Sequence, residues 1–323
     1  TLKRSNLRPS MSEPENNISP NYRAGFVALI GKPNVGKSTL LNAFVGEKVS
    51  IVSPKPQTTR RQIRGICTLR LSQGAAHDAQ LIFVDTPGIH KPMHKLGKAI
   101  VRDATDAIPD ADLIVFVADV ARAPTEEDEH IAQLLRRARA PLLLALNKSD
   151  ALKPEFVVSN SDAFRALGPF DDWMLVSATR GDNLDKFMAM MVARLPFSPP
   201  LYPPDQVTDQ TERAITAELI REKALRHLEQ EVPHAIEVVI ENWEERPNGM
   251  VYVEASVLVE KESQKGIVIG AKGAMLKKIG QDARRDIEKF LERKLYLELR
   301  VKVRAKWRED ESELRRLGYA VNG

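Results

Sequence analysis

Short apolar runs separated by longer polar stretches pattern the first two hundred residues. The runs 26–30, 81–84, 113–117, 141–146 and 173–176 each have the length of a buried strand, while 39–44 and 126–139 favour helix. This alternation predicts an α/β domain whose mostly parallel sheet is wrapped by helices, with ligands at the carboxyl edges of the strands. The proline-dense stretch 195–204 can continue neither helix nor sheet, and it marks a domain boundary with a stiff connector. Beyond it the pattern becomes helix (215–229), strand (235–241), strand (251–259), helix, glycine loop, long helix and a last strand (295–304). The expected division is a disordered leader at 1–22, an α/β domain at 23–198, a linker at 199–213, a smaller α+β domain at 214–308 and a tail at 309–323.

Chemistry enters at the end of the first strand. Gly31-Lys32-Pro33-Asn34-Val35-Gly36-Lys37-Ser38 fits the phosphate-loop pattern GxxxxGK[ST], and Thr39 continues into the predicted helix. The loop N–H groups and the new helix N-terminus converge where a polyphosphate is stabilised. Lys37 reaches the β- and γ-phosphates in this reading, and the Ser38 hydroxyl holds Mg²⁺. The second strand runs into Asp85-Thr86-Pro87-Gly88. An aspartate there suits a Mg²⁺-bound water, and Gly88 can bring its N–H close to a γ-phosphate. Residues 90–98 read as a loop that reorganises when that phosphate leaves.

The strand 141–146 delivers Asn147-Lys148-Ser149-Asp150. The Asp150 carboxylate can accept from both guanine N1–H and the 2-amino group, neither of which adenine offers. Lys148 covers the base plane with its aliphatic stem. Ser177 and Ala178, in Ser177-Ala178-Thr179, supply backbone N–H to guanine O6.

In the second domain, Gly270-Ala271-Lys272-Gly273 joins two predicted helices. A GxxG loop lets backbone approach single-stranded nucleic acid and clamp about four nucleotides. Lys277, Lys278 and Arg284 on the following helix are further RNA candidates, although Arg284, Arg285 and Lys289 can also pair with Asp282, Asp286 and Glu288 along that helix. Few aromatics lie near the loop, so base stacking is not expected to dominate, and Trp307 reads as a packing residue.

Charge sharpens this picture. The whole chain carries only +4, but residues 261–308 hold fifteen Lys/Arg against six Asp/Glu, a net of +9, after an acidic stretch at 229–260. One basic face is what phosphate-backbone binding requires. The single cysteine, Cys67, excludes an intrachain disulfide and points to a reducing compartment. No apolar run approaches the ~20 residues of a membrane span.

The order of the nucleotide motifs resembles the translation-factor-like branch of Ras-type GTPases. That resemblance implies a switch segment, supplied here by 50–61 (SIVSPKPQTTRR). Within it Thr59 ligates Mg²⁺ in the GTP state, with Thr58 as its close competitor. Ile89 stands where Ras-like enzymes carry a water-orienting glutamine, so intrinsic hydrolysis should be slow. Asn34 looks like the residue that related GTPases use to hold K⁺ near the phosphates, and Lys37, Thr59, Gly88 and Asn34 are the expected catalytic set. The helix and strand order after the linker is that of a type II KH fold. Together the domains resemble the Era family of bacterial ribosome-assembly GTPases over roughly residues 24–320. The likeness extends to Leu201-Tyr-Pro-Pro-Asp-Gln-Val-Thr-Asp209, Ile220-Arg-Glu-Lys223 and Glu231-Val-Pro233. It implies a cytoplasmic monomer with some peripheral membrane association. It also implies binding near the 3′ end of 16S ribosomal RNA during maturation of the 30S subunit precursor, with GTP favouring RNA binding and hydrolysis favouring release.

Overall fold

The computed structural model describes residues 21–320, apart from 56, 71–77 and 91–94. The expected leader therefore lies almost wholly outside the described residues. Six strands form the first sheet: β1 (Arg23–Ile30), β2 (Ile63–Leu69), β3 (Ala79–Asp85), β4 (Leu113–Asp119), β5 (Leu142–Asn147) and β6 (Asp172–Leu175). Their order is β2-β3-β1-β4-β5-β6, antiparallel only between β2 and β3. Five helices accompany them: α1 (Lys37–Val45), α2 (Lys95–Asp106), α3 (Glu126–Leu135), α4 (Val157–Arg165) and α5 (Leu184–Val192).

The period of two along β1 explains the layers. Val27 and Leu29 enter one apolar core with Leu40, Phe83 and Phe187, whereas Ala28 and Ile30 enter another with Phe116, Ile131 and Phe164. Because the chain leaves β1 toward β3 on one side and β4 on the other, a crevice opens at its carboxyl end. Residues 95–98 belong to the first turn of α2, not to a loop; the preceding 91–94 lie outside the described residues.

The linker is strapped to the first domain. The Gln80 side-chain amide bonds the backbone of Leu201 and Tyr202, and Ile66 N–H donates to the Val207 carbonyl, covering the edge strand β2. The second domain follows as α6 (Glu212–His227), α7 (Val232–Ala235), β7 (Glu237–Glu245), β8 (Val251–Val259), α8 (Glu262–Ile269), α9 (Ala274–Leu291) and β9 (Leu295–Val303). Its sheet order is β7-β8-β9, with β8 and β9 parallel. A final helix, α10 (Glu311–Arg316), sits against the first domain: Lys95 pairs with Glu311, and Leu96 packs with Trp307, Leu314 and Leu317. Trp307 is fully buried, and its indole N–H donates to the Ala235 carbonyl at 2.9 Å.

Candidate nucleotide site and RNA groove

The phosphate loop bends out of β1 and re-enters helix at Lys37. No side chain caps α1, so its first N–H groups face the crevice, while α3 is closed by a Thr125–Asp128 capping box. The Lys37 ammonium lies inside the loop, 3.0 and 2.8 Å from the carbonyls of Gly31 and Lys32, and burial lowers its pKa to about 8. Gly88 meets the loop so closely that a Cβ would stand 2.4 Å from Pro33 N, which explains the glycine.

Some loop residues turn away from the site. The Lys32 side chain pairs with Asp128 at 2.6 Å, leaving only its backbone toward a ligand. Thr86 Oγ1 donates to the Leu29 carbonyl, and the Ile89 side chain is buried in the core. Ile89 thus contributes packing rather than a site contact.

Ser38, Ser50, Thr59 and Asp85 form one cluster. Ser38 Oγ donates to Asp85 Oδ2 at 2.5 Å and lies 2.9 Å from Thr59 Oγ1; Ser50 and Thr59 reach the same oxygen at 2.9 and 3.3 Å. Thr58 is turned off this cluster, its hydroxyl donating to the Lys55 carbonyl at 2.7 Å. Burial raises the Asp85 pKa against the opposing pull of Lys37 and the hydroxyls, and its Oδ1 has no partner among the described residues. Hydroxyl and carboxylate oxygens around an orphaned carboxylate atom fit a hard divalent cation. A cavity of about 370 Å³ between the phosphate loop and the switch segment reaches from Ser38 and Thr59 to Lys148. A larger cleft of about 680 Å³ between α2 and α3 holds none of these groups.

Asn147 and Lys148 are fixed from both sides. Asn147 ties the phosphate loop to the far loop, donating to the Val35 carbonyl at 2.8 Å and accepting from Ala178 N–H at 3.0 Å. Of the two N–H groups expected at guanine O6, that of Ala178 is therefore engaged by Asn147, and that of Ser177 donates to the Asp182 carbonyl at 3.2 Å. Lys148 pairs with Asp119 at 2.7 Å, which extends its stem along the crevice. Asp150 is exposed; the Ser177 hydroxyl donates to its Oδ1 at 2.6 Å and is the main cause of its lowered pKa.

The switch segment is also anchored in the second domain, which the sequence did not reveal. Arg60, 3% exposed, donates to the Ile236 carbonyl at 2.6 Å, the His234 carbonyl at 3.1 Å and Glu237 Oε2 at 3.1 Å. The fully buried Arg221 of α6 donates to the Thr58 carbonyl, and Arg61 donates to the Leu317 carbonyl beneath Tyr319. Burial alone would raise the Glu237 pKa, but Arg60, Arg221 and Arg61, with the Tyr319 hydroxyl, hold it below the ordinary value. The exposed Lys48 adds a link to the fully buried Glu222 at 2.7 Å and to Asp286 at 3.1 Å.

On the second domain, Gly270 turns at φ 71°, and a Cβ there would lie 2.7 Å from Met275 Cβ. Ala271 and Lys272 project exposed from the turn, with Gly273 closing it at φ 80°. A groove of about 450 Å³ runs from Gly273 past Lys277, Gly280 and Gln281 to Arg284 and Tyr296. Lys277 thus lines the groove; Lys278 is exposed but does not. Arg284 lines it while pairing with Glu288 at 3.1 Å, so the pairing along the helix is present and the side chain also stands at the groove. Tyr296 is one aromatic that the sequence did not place at this groove, where few were expected.

Residues 26–148 match the family described as 50S ribosome-binding GTPase, and residues 231–308 match the KH domain family. The GTPase Era proteins of Clostridium perfringens and Clostridium botulinum are 45% identical over 298 residues, which are 92% of this chain and 98% of theirs. Two solved structures cover 93% of this chain and 100% of their own, with TM-score 0.87 and 38% identity. One is a variant of Aquifex aeolicus Era bound to GDP and AlF4⁻; the other is Era in complex with MgGDPNP and nucleotides 1506–1542 of 16S ribosomal RNA. Identity of this extent across both domains, with the nucleotide motifs assembled in one crevice, makes the chain a GTP-hydrolysing member of the Era family.

Proposed function

We propose that this protein is a GTP-timed RNA binder that holds 16S ribosomal RNA near its 3′ end during assembly of the small ribosomal subunit and lets go after hydrolysis. One observation carries the reading: Thr59 faces Ser38 and Asp85, while the next residue, Arg60, is buried in the KH domain. A change at the γ-phosphate that moves Thr59 must therefore strain or release Arg60. The 16S fragment held by the solved Era complex supports the RNA partner. Peripheral membrane association, the cytoplasmic setting and the monomeric state belong to this proposal through the family resemblance. Binding of a labelled 3′-terminal 16S fragment, measured at stated salt with GDP and with a non-hydrolysable GTP analogue, tests the timer. The analogue should favour binding about tenfold, within the usual range of coupling energies. An Ala271→Asp/Lys272→Asp double variant should lose binding in both states, and equal affinity in both states of the unaltered protein would remove the timer.

Ser38, Thr59 and Asp85 are the residues we assign to Mg²⁺, directly or through water. Mg²⁺ held by these residues would supply positive charge to the phosphates. Lys37 and the uncapped α1 N-terminus supply the remaining positive potential, and Gly88 leaves room for the γ-phosphate. The Ile89 side chain, packed in the core, cannot orient water. The Asn34 side chain reaches the switch segment, donating to the Pro54 carbonyl at 3.1 Å. That bond fixes the amide at the edge of the phosphate loop, and by resemblance to the phosphate-loop asparagine of related GTPases we assign K⁺ to Asn34. Hydrolysis by the unaltered protein should be faster in K⁺ than in Na⁺, and Asn34→Asp should flatten the difference. Equal rates in both salts for both proteins would dismiss the assignment.

A further inference from the structure

Tyr296 lies at the end of the GxxG groove and is 52% exposed. Its ring stacks on Tyr252, with centroids 5.7 Å apart and planes 21° from parallel. The Arg246 guanidinium lies 5.0 Å from the Tyr252 ring centre and 5.9 Å from that of Tyr296. The Tyr252 hydroxyl donates to Glu298 at 2.9 Å, which fixes the lower ring. Because β9 is an edge strand, no strand among the described residues covers the outer side of Tyr296.

This pair differs from the stacked aromatics of the first domain. Phe44 and Phe83 are 7% and 0% exposed and serve the core. Tyr296 instead presents more than half its surface at the mouth of a groove that also holds Lys277 and Arg284. On its sheet face Glu254 and Glu298 share the single cation Arg300, and Glu244 stands opposite Tyr252, so the positive charge available to a nucleic acid comes from Arg246 beside the rings and from Lys277 and Arg284 along the groove. An exposed ring backed by a second ring and a guanidinium, continuous with a basic groove, suits the π-face of a nucleobase.

We propose that Tyr296, supported by Tyr252 and Arg246, is a stacking platform for a base of single-stranded RNA that continues beyond the nucleotides clamped at the GxxG loop. This rests on the RNA-groove reading above and extends it from a short clamp to a longer track. Stacking accepts any base, so the platform adds affinity with little sequence preference.

The test uses the full chain and two sets of oligoribonucleotides: a core of about four nucleotides, the length such a clamp holds, and extended versions of that core. The extended RNAs should bind the unaltered protein more tightly than the core. Tyr296→Leu, which keeps apolar bulk and removes the π-face, should weaken the extended RNAs about five- to tenfold and leave the core unchanged. Tyr296→Trp should restore binding, a rescue that a merely structural role does not predict. A 2-aminopurine placed beyond the core should be quenched on binding to the unaltered protein, which needs no variant. Equal affinity for core and extended RNA, or no quenching at any position, overturns the platform while leaving the clamp intact. Core binding that survives Lys272→Asp overturns the groove reading and the platform with it.

Discussion

Exchanging Asp150 for asparagine should lower the affinity for GTP and GDP about 10³-fold, near 4 kcal/mol, while creating a site for xanthine nucleotides. The carboxylate accepts two hydrogen bonds from guanine in the proposed complex, and each bond to a charged group is worth roughly 1.5–3 kcal/mol. Ser177 decides how the variant would be oriented. Its hydroxyl donates to Asp150 Oδ1 at 2.6 Å, so an amide in the same place keeps its carbonyl there and turns its NH₂ toward the base. Against guanine that NH₂ meets the 2-amino group, donor against donor. Against xanthine it meets a carbonyl oxygen and gains a bond. Titration of a fluorescent GDP and a fluorescent XDP against both proteins checks the exchange. Undiminished GDP binding by Asp150→Asn would mean that the base is read elsewhere in the crevice.

What the sequence could reveal follows from where each chemistry is written. Phosphate and base recognition use short motifs at strand ends, so Gly31–Ser38, Asp85–Gly88 and Asn147–Asp150 declare themselves by residue type and spacing. The strands were legible for a related reason, since burial on both faces writes continuous apolar runs. Thr58 and Thr59 could not be separated because adjacent residues leave an extended chain on opposite sides, and only the fold says which side faces Asp85. Asn147 was legible as part of a base motif, but its bonds to Val35 and Ala178 join loops far apart in sequence. The arginine anchors were invisible for the same reason in stronger form. Arg60 meets Glu237, and Arg61 meets Leu317, with no local periodicity to connect them. Tyr296 was missed because α9 and β9 double back, bringing a residue 23 positions past Gly273 to the groove that starts there.

Glu237→Gln should uncouple the nucleotide from the RNA groove before it unfolds the protein. Glu237 is the carboxylate at the centre of Arg60, Arg61 and Arg221, and it is 3% exposed. Neutralising it leaves buried guanidinium charge poorly compensated, a change expected to cost about 3 kcal/mol. Tyr319→Phe, which removes only one hydrogen bond to the same carboxylate, should cost about 1 kcal/mol. Acid should act in the same direction. Because the folded-state pKa of Glu237 is depressed, its stabilising contribution is present above the unfolded pKa and is lost as the pH falls through the depressed value. The junction should therefore stay intact through the usual carboxylate range and loosen only below it. Function separates this account from simple packing. If Arg60 and Arg221 transmit the state of Thr59, Glu237→Gln should retain RNA binding through the distant GxxG groove but show nearly the same affinity with GDP and with the GTP analogue. Thermal melting and the ratio of the two RNA affinities, measured on one preparation, decide the matter. A lowered melting temperature with an unchanged ratio would make the junction a packing interface that carries no signal; a collapsed ratio in a protein still folded at assay temperature would place the signal in these three arginines.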